Sequence, residues 1–236
     1  MEKPVDVVDK SITKMRKNAI LGIFAKQPII GQCKTRLCPP LDLREAATFY
    51  ECSLRETVSR MQQLDCCDLA ICYAGERSWF EAEYPEAVLV PQQGEDIGAR
   101  MAAALNGFLQ QGYRQAVLIG SDSPDLPLEL IEQACVALEE VEVVLAPASD
   151  GGYVLVGESQ HQPQLFNSMA WSTEEVLAET LRRVDQSGID CVQLQGWEDL
   201  DDLPALQRFL LRSPDSVTAA HLRKHLNSYF QSAADL

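Results

Sequence analysis

The segment Ala116-Val117-Leu118-Ile119-Gly120-Ser121-Asp122-Ser123-Pro124-Asp125-Leu126 places a carboxylate directly beyond four apolar residues. Such a run, closed by Gly-Ser and then Ser-Pro, reads as a buried strand followed by a turn. Open α/β sheets bind ligands at the carboxyl ends of their strands. An aspartate there can hold a divalent metal against a phosphate. It can equally act as a turn former or a helix cap. Two more acidic segments sit at similar junctions. Pro147-Ala148-Ser149-Asp150-Gly151-Gly152-Tyr153 joins two strand-like runs. Its glycines let backbone approach a ligand, with Asp150 free to bond sugar hydroxyls; the competing reading is a tight hairpin-like turn. Trp197-Glu198-Asp199-Leu200-Asp201-Asp202-Leu203 follows the last apolar run. In extended chain, Asp199 and Asp201 share one side and can face Asp122. Asp202 also suits a helix N-cap.

The basic counterpart lies near the start. Lys26-Gln27-Pro28-Ile29-Ile30-Gly31-Gln32-Cys33-Lys34-Thr35-Arg36-Leu37 gathers Lys26, Lys34 and Arg36 in an otherwise acidic chain. Pro28 and Gly31 keep this stretch out of a helix, so its N–H groups can face a ligand. A loop after the first strand is where α/β proteins bind nucleotide phosphates. The paired glycines and Gly-Lys-Ser/Thr order of a Walker A loop are missing, and so is GxGxxG. A solvated basic loop is the competing reading. Gln92, Gln93 and Arg100 can read a base edge or cap a helix and loop.

These segments need a frame to converge. Apolar runs predict strands at 19–25, 69–73, 87–90, 116–119, 141–146, 153–156 and 191–194. Helical patterns predict helices from Asp42 to about Leu64, at 97–111, 128–139 and 173–186, after Asp202, and in the tail from Pro214. Asp42 with Glu45 makes a capping box, and Ala47, Tyr50, Leu54, Val58 and Met61 form the apolar stripe behind it. Strands alternating with helices of this length mean a single α/β domain, a three-layer α/β/α sandwich around a mostly parallel sheet. Residues 1–18 read as a flexible extension, 19–212 as the catalytic domain, and 213–236 as a helical tail packed on that domain.

Composition narrows the class. The chain has 236 residues and a formal net charge of −15, from 35 acidic and 20 Lys or Arg side chains. That balance argues against nucleic acid or an anionic membrane as partner. No apolar run reaches the ~20 residues of a membrane span, and the charged start lacks a signal-peptide core, so a cytoplasmic protein is expected. The eight cysteines include no CxxC pair. Cys66 and Cys67 are adjacent, while Cys52, Cys72, Cys135 and Cys191 sit in apolar segments as small hydrophobes. His221 and His225, four apart, are expected on a solvated helix face.

Five motifs in order carry a family resemblance. They are Phe24-Ala25-Lys26-x-Pro28-x-x-Gly31-x-x-Lys34-Thr35-Arg36-Leu37; Gln92/Gln93 with Gly94-x-Asp96-Ile97-Gly98-x-Arg100-Met101; Gly120-Ser121-Asp122-Ser123-Pro124-Asp125; Asp150-Gly151-Gly152-Tyr153; and Trp171-Ser172-Thr173. Over residues 18 to 212 the chain resembles the bacterial GT-A-type glycosyltransferases, or nucleotide-diphospho-sugar transferases, which are related to guanylyltransferases of 2-phospho-lactate and molybdopterin. The resemblance implies a GT-A-like fold. It implies nucleotide or phosphate contacts from Lys26, Lys34, Thr35, Arg36 and Arg100. It implies Mg²⁺ or Mn²⁺ held by Asp122 with Asp199 or Asp201, and an acceptor or sugar pocket lined by Asp150, Gly151, Gly152, Trp171 and Thr173.

Three functions follow as expectations. The first is metal-dependent glycosyl transfer from a nucleotide-diphospho-sugar to a small-molecule acceptor, which the family favours. The second is nucleotidyl transfer from an NTP to a phosphorylated small molecule with release of pyrophosphate, which the Lys-Thr-Arg-Leu loop favours. The third is nucleotide binding without turnover, which the number of strand-end carboxylates disfavours.

Overall fold

A computed structural model describes residues 17–226 and 229; most of the expected N-terminal extension and the end of the tail lie outside the described residues. Seven strands form one sheet: β1 (Ala19–Lys26), β2 (Cys67–Ala74), β3 (Val88–Pro91), β4 (Gln115–Gly120), β5 (Val143–Pro147), β6 (Tyr153–Glu158) and β7 (Cys191–Gln193). Among the described residues seven helices accompany them: α1 (Leu43–Met61), α2 (Arg77–Glu83), α3 (Ile97–Gln110), α4 (Leu128–Ala137), α5 (Val176–Ser187), α6 (Leu203–Arg212) and α7 (Val217–His225). The strand order is β3-β2-β1-β4-β6-β5-β7. β3, β2, β1 and β4 pair in parallel, as do β5 and β7; β6 alone runs against its neighbours β4 and β5. The mixed α/β sandwich expected from the alternation is the observed fold.

Strands β1 and β4 are neighbours, yet the chain leaves β1 toward β2 and β3 and returns to β4 on the other side. Such a topological switch point opens a crevice at the carboxyl ends of the two strands. The basic loop leaves β1 there, and Asp122 leaves β4 beside it.

Four of the helices begin at a side-chain cap. Asp42 caps α1 through Arg44 and Glu45 N–H groups, and the Glu45 carboxylate returns to the Asp42 N–H at 2.8 Å. Asp96, Asp202 and Ser216 cap α3, α6 and α7 by accepting from the N–H three residues on. Two differences from the sequence reading stand out. Helix α2 carries too short a periodic pattern to be noticed at seven residues. Helix α5 starts at Val176, because residues 171–175 are spent on turns.

Three apolar clusters hold the layers. The α1 stripe, including Ala47, Leu54, Val58 and Met61, packs with Ile131 and Ala134 of α4 against Leu21, Ile23, Val117 and Ile119. Leu105 and Phe108 of α3 and Val184 of α5 cover the opposite face. A third cluster joins Phe49 of α1 to Leu206 and Phe209 of α6 and to Ala219 and Leu222 of α7. Leu37 of the basic loop and Leu200 of the acidic segment are also buried in it. The C-terminal helices thereby anchor both sides of the crevice. No helix among the described residues is long and apolar enough to cross a membrane.

Candidate active site

Four strand ends deliver the charged side chains to one rim. The loop after β1 folds into a 3-10 turn, Thr35–Leu37, whose inward residue Leu37 is 1% exposed. Lys34 precedes this turn in the left-handed region, at φ 50° and ψ 34°. That conformation is unfavourable for a residue with a Cβ and persists only where surroundings impose it. The ammonium shows what imposes it. Lys34 Nζ lies 2.6 Å from Asp201 Oδ1 and 3.2 Å from Asp122 Oδ1, with its side chain 5% exposed. Arg36, on the surface, donates to the other Asp201 oxygen at 3.1 Å.

Asp122 is placed from behind by buried hydroxyls of α1. Tyr50 Oη and Ser121 Oγ share a hydrogen bond of 2.8 Å, and Ser53 Oγ donates to the Ser121 carbonyl at 3.0 Å. Tyr50 also accepts from the Lys26 N–H at 2.9 Å, so one side chain ties the ends of β1 and β4 together. The Leu200 N–H donates to the Asp122 carbonyl, which lays the acidic segment alongside. With Leu200 inward, its neighbours Asp199 and Asp201 face the rim. The pairing of β5 with β7 continues through a bridge between Ala148 and Trp197, which brings the Asp150 turn to the same end.

The electrostatics are unbalanced. Burial works against the Lys34 ammonium, but Asp122 and Asp201 outweigh it and raise its pKa. Burial works against the Asp201 carboxylate too, and Lys34 and Arg36 reverse it, holding the group below its ordinary range. Asp199 goes the other way. Burial first, then Asp201 and Asp150, push its carboxyl up to about 6, against a smaller pull from Lys34. Two fixed cations thus serve four carboxylates, and Asp199 carries the excess.

The remaining expected residues form an adjoining wall. Asp150 Oδ1 accepts from the Gly152 N–H at 2.9 Å and the Gly152 carbonyl accepts from Ala148, the tight hairpin turn of the competing reading. The constrained glycine is Gly151. Its φ is +89°, and a Cβ would stand 2.2 Å from the Glu174 carbonyl oxygen. A Cβ on Gly152 would meet only the Asp150 carboxylate, at 3.2 Å. Trp171 lies against Gly98 at the start of α3, where a Cβ would fall 2.2 Å from the ring. Its buried indole N–H has no hydrogen-bond partner among the described residues. Thr173 is exposed and donates to the Ala170 carbonyl. Arg100 donates to the Gly94 carbonyl at 3.1 Å, within the loop that caps α3. The Gln92 amide is spent on the Ala25 and Cys72 carbonyls.

Lys34, Arg36, Asp122, Asp199 and Asp201 are therefore brought together. Lys26 and Thr35 stand exposed on the same rim without an ion pair among the described residues. Tyr50, Ser53 and Ser121 escaped the sequence reading as positioning groups, since Tyr50 and Ser53 also fit a helix's buried face. A groove of about 450 Å³ between α1 and α7, lined by Glu51, Cys52, Arg55 and His221, is separate from the rim.

Residues 57–173 match a family described as an uncharacterized protein conserved in bacteria (DUF2064). No curated protein matches the chain. The crystal structure of a protein from Desulfovibrio desulfuricans G20, assigned as a nucleotide-diphospho-sugar transferase, is similar with a TM-score of 0.85 and 31% identity, over 91% of this chain and 98% of that one. CMP:2-keto-3-deoxy-manno-octonic acid synthetase in complex with CTP has a TM-score of 0.54 at 10% identity, over 83% and 98% of the two chains. 4-Diphosphocytidyl-2C-methyl-D-erythritol synthase has a TM-score of 0.52 at 15% identity, over 84% and 99%. These last two share the fold. With an identity of 31% over nearly the full length of both molecules, the chain belongs to the bacterial nucleotide-diphospho-sugar transferase family.

Proposed function

We propose that the protein transfers a glycosyl group from a nucleotide-diphospho-sugar to a small acceptor, with the donor's phosphates at the rim between β1 and β4. One observation carries this reading: Lys34, Arg36, Asp122, Asp199 and Asp201 converge at the switch point of the sheet with more carboxylates than cations. A divalent cation would offset that surplus, and the diphosphate that comes with it would meet the exposed cations of the basic loop. Carboxylate oxygens are hard donors suited to Mg²⁺ or Mn²⁺, and Mg²⁺ commonly takes only one or two carboxylates plus substrate phosphates. Asp201 is already neutralised by Lys34 and Arg36. Asp122 and Asp199 are the pair with capacity left.

The chain's own residues then divide the work. Lys34 acts as the internal strut that fixes Asp122 and Asp201. Lys26 is the exposed cation without an ion pair among the described residues, and Arg36, which bonds Asp201 through Nη1, keeps its other N–H groups for phosphate oxygens. Thr35 N–H and hydroxyl groups flank them. The metal would supply charge neutralisation as the nucleoside diphosphate leaves. The Asp150–Gly152 turn, with Thr173 and the Trp171 ring beside it, would form the wall for the sugar or acceptor.

The test is a product assay. The protein is incubated with Mg²⁺ or Mn²⁺ and panels of nucleotide-sugars and NTPs, and nucleoside diphosphate and pyrophosphate are both quantified. Metal-dependent release of nucleoside diphosphate from a nucleotide-sugar, lost in Asp122→Asn, is the expected result. Pyrophosphate release from an NTP would replace glycosyl by nucleotidyl transfer. Nucleotide binding with neither product would make the protein a binding module.

A further inference from the structure

At the opposite end of the sheet, two adjacent cysteines meet a third that is distant in sequence. The sulfur atoms of Cys66, Cys67 and Cys135 all lie within 4.8 Å of one another. Cys67 opens β2 and is 4% exposed; Cys135 lies on the inner face of α4 and is 6% exposed; Cys66, in the turn before β2, is half-buried. Strand β2 carries its chain from Cys67 toward the rim and ends at Ala74, about 23 Å away at roughly 3.3 Å per residue. The two places are separate.

We propose that Cys66, Cys67 and Cys135 form a three-sulfur site for a thiophilic d¹⁰ cation, Zn²⁺ in the first instance, with a fourth position open on the half-buried Cys66 side. The geometry is close to what such an ion needs. A point equidistant from three sulfurs 4.8 Å apart lies about 2.8 Å from each, so an ion at the usual ~2.3 Å asks each sulfur to move about half an ångström. Three thiolates prefer soft or borderline ions over Mg²⁺ or Ca²⁺. The charged side chains that act on Cys135 are the carboxylates of Glu132 and Glu139, which attract a cation and disfavour a metal-free thiolate cluster. On binding, the three S–H protons leave to solvent and three metal–sulfur bonds form.

The site would act as a staple. Lys17 already braces this corner, donating from Nζ to the Leu64 and Cys67 carbonyls and from its N–H to Asp68. A bound ion adds a link from the α1–β2 turn to α4, two elements that also pack there through apolar contacts.

The experiment uses the full chain, reduced and stripped with a chelator under anaerobic conditions, then titrated with Cd²⁺ and Zn²⁺. One tight equivalent is expected, with a cadmium–thiolate charge-transfer absorbance of the intensity of three thiolates and a rise in melting temperature on Zn²⁺ addition. Cys66→Ala and Cys135→Ala should each weaken Cd²⁺ affinity at least about tenfold and lower the absorbance by one thiolate, whereas Cys191→Ala should change neither. If Cys135→Ala fails to fold, Cys66→Ala, at the more exposed position, decides alone. Absence of a tight equivalent overturns the site. So does an absorbance unchanged in Cys66→Ala, or a disulfide within the trio in protein isolated without reductant together with no Cd²⁺ uptake after reduction.

Discussion

Two carboxylates three residues apart, Asp122 and Asp125, have opposite fates. Asp125 is 6% exposed and accepts hydrogen bonds from Trp197 Nε1, Arg212 Nε and Nη2, and Ser213 Oγ, at 2.6 to 3.2 Å. Glu198 beside it is bound by Arg208 and Arg212, and Arg212 also lies over the Trp197 ring at 5.3 Å. Two guanidiniums answer two acids, and both Asp125 oxygens accept hydrogen bonds. Asp122 keeps a side chain 41% exposed and shares one lysine with Asp201. The same two chain segments thus send one set of acids into a closed cluster and another into an open one. A closed cluster is a structural joint, here between β4 and the end of α6. An open cluster with surplus negative charge is poised for a cationic ligand.

The largest effect is expected at the Asp125–Arg212 joint. Arg212→Ala leaves the buried Asp125 carboxylate without its cation, and loss of one partner of such a pair costs about 3 kcal/mol or more. Urea unfolding of this variant should show a loss of that size at neutral pH. A loss below about 1 kcal/mol would mean the joint is no more than a surface ion pair.

Lys34→Met should come next. It removes the cation between Asp122 and Asp201, and we expect a loss of about 2 kcal/mol, less than at Arg212 because both acids keep access to water. Added Mn²⁺ should restore part of the melting temperature. If stability is unchanged and Mn²⁺ has no effect, the rim is not an electrostatic unit.

Asp199→Asn should act in the opposite direction. The Asp199 carboxyl is pushed up to about 6 by burial, Asp201 and Asp150. Between the unfolded value near 4 and about 6 the folded state therefore holds the extra proton, and stability falls as pH rises through that window. Removing the charge should stabilise the metal-free protein by about 1 kcal/mol at pH 7, after discounting for solvent screening, and by nothing below about pH 4. Melting curves at both pH values check this. Equal effects at the two would remove charge as the cause.

Arg36→Ala should have the smallest effect on folding, under about 0.5 kcal/mol, since the guanidinium is mostly exposed. Calorimetry should nevertheless show about a tenfold or greater loss in nucleotide diphosphate affinity, with nucleoside binding unchanged. Wild-type affinity for the diphosphate would detach the loop from the proposed phosphate site.

What could be read without a structure depended on short-range rules. The Asp42–Glu45 capping box, the apolar stripe from Ala47 to Met61 and the strand runs follow from neighbours a few residues apart, and the structure has them. The placement of Asp122 beyond a buried strand was legible for the same reason. Helix α2 was missed because its seven residues hold too few turns to display a period.

The partners of the charges were another matter. Lys34 reads in the sequence as a free cation in a basic loop; its bonds to Asp122 and Asp201 span up to 167 residues. Nothing local distinguishes Asp125, which meets Arg212 across 87 residues, from Asp122. Nor does spacing show that Cys135 on α4 returns to Cys66 and Cys67. Strands, helices and strand-end loops are written in the local order of residues, because hydrophobic period and capping act within a turn or two of chain. Which acids are neutralised, which stay open and which thiols meet follows from the folded chain, because ion pairing and ligation depend on distance and burial in space.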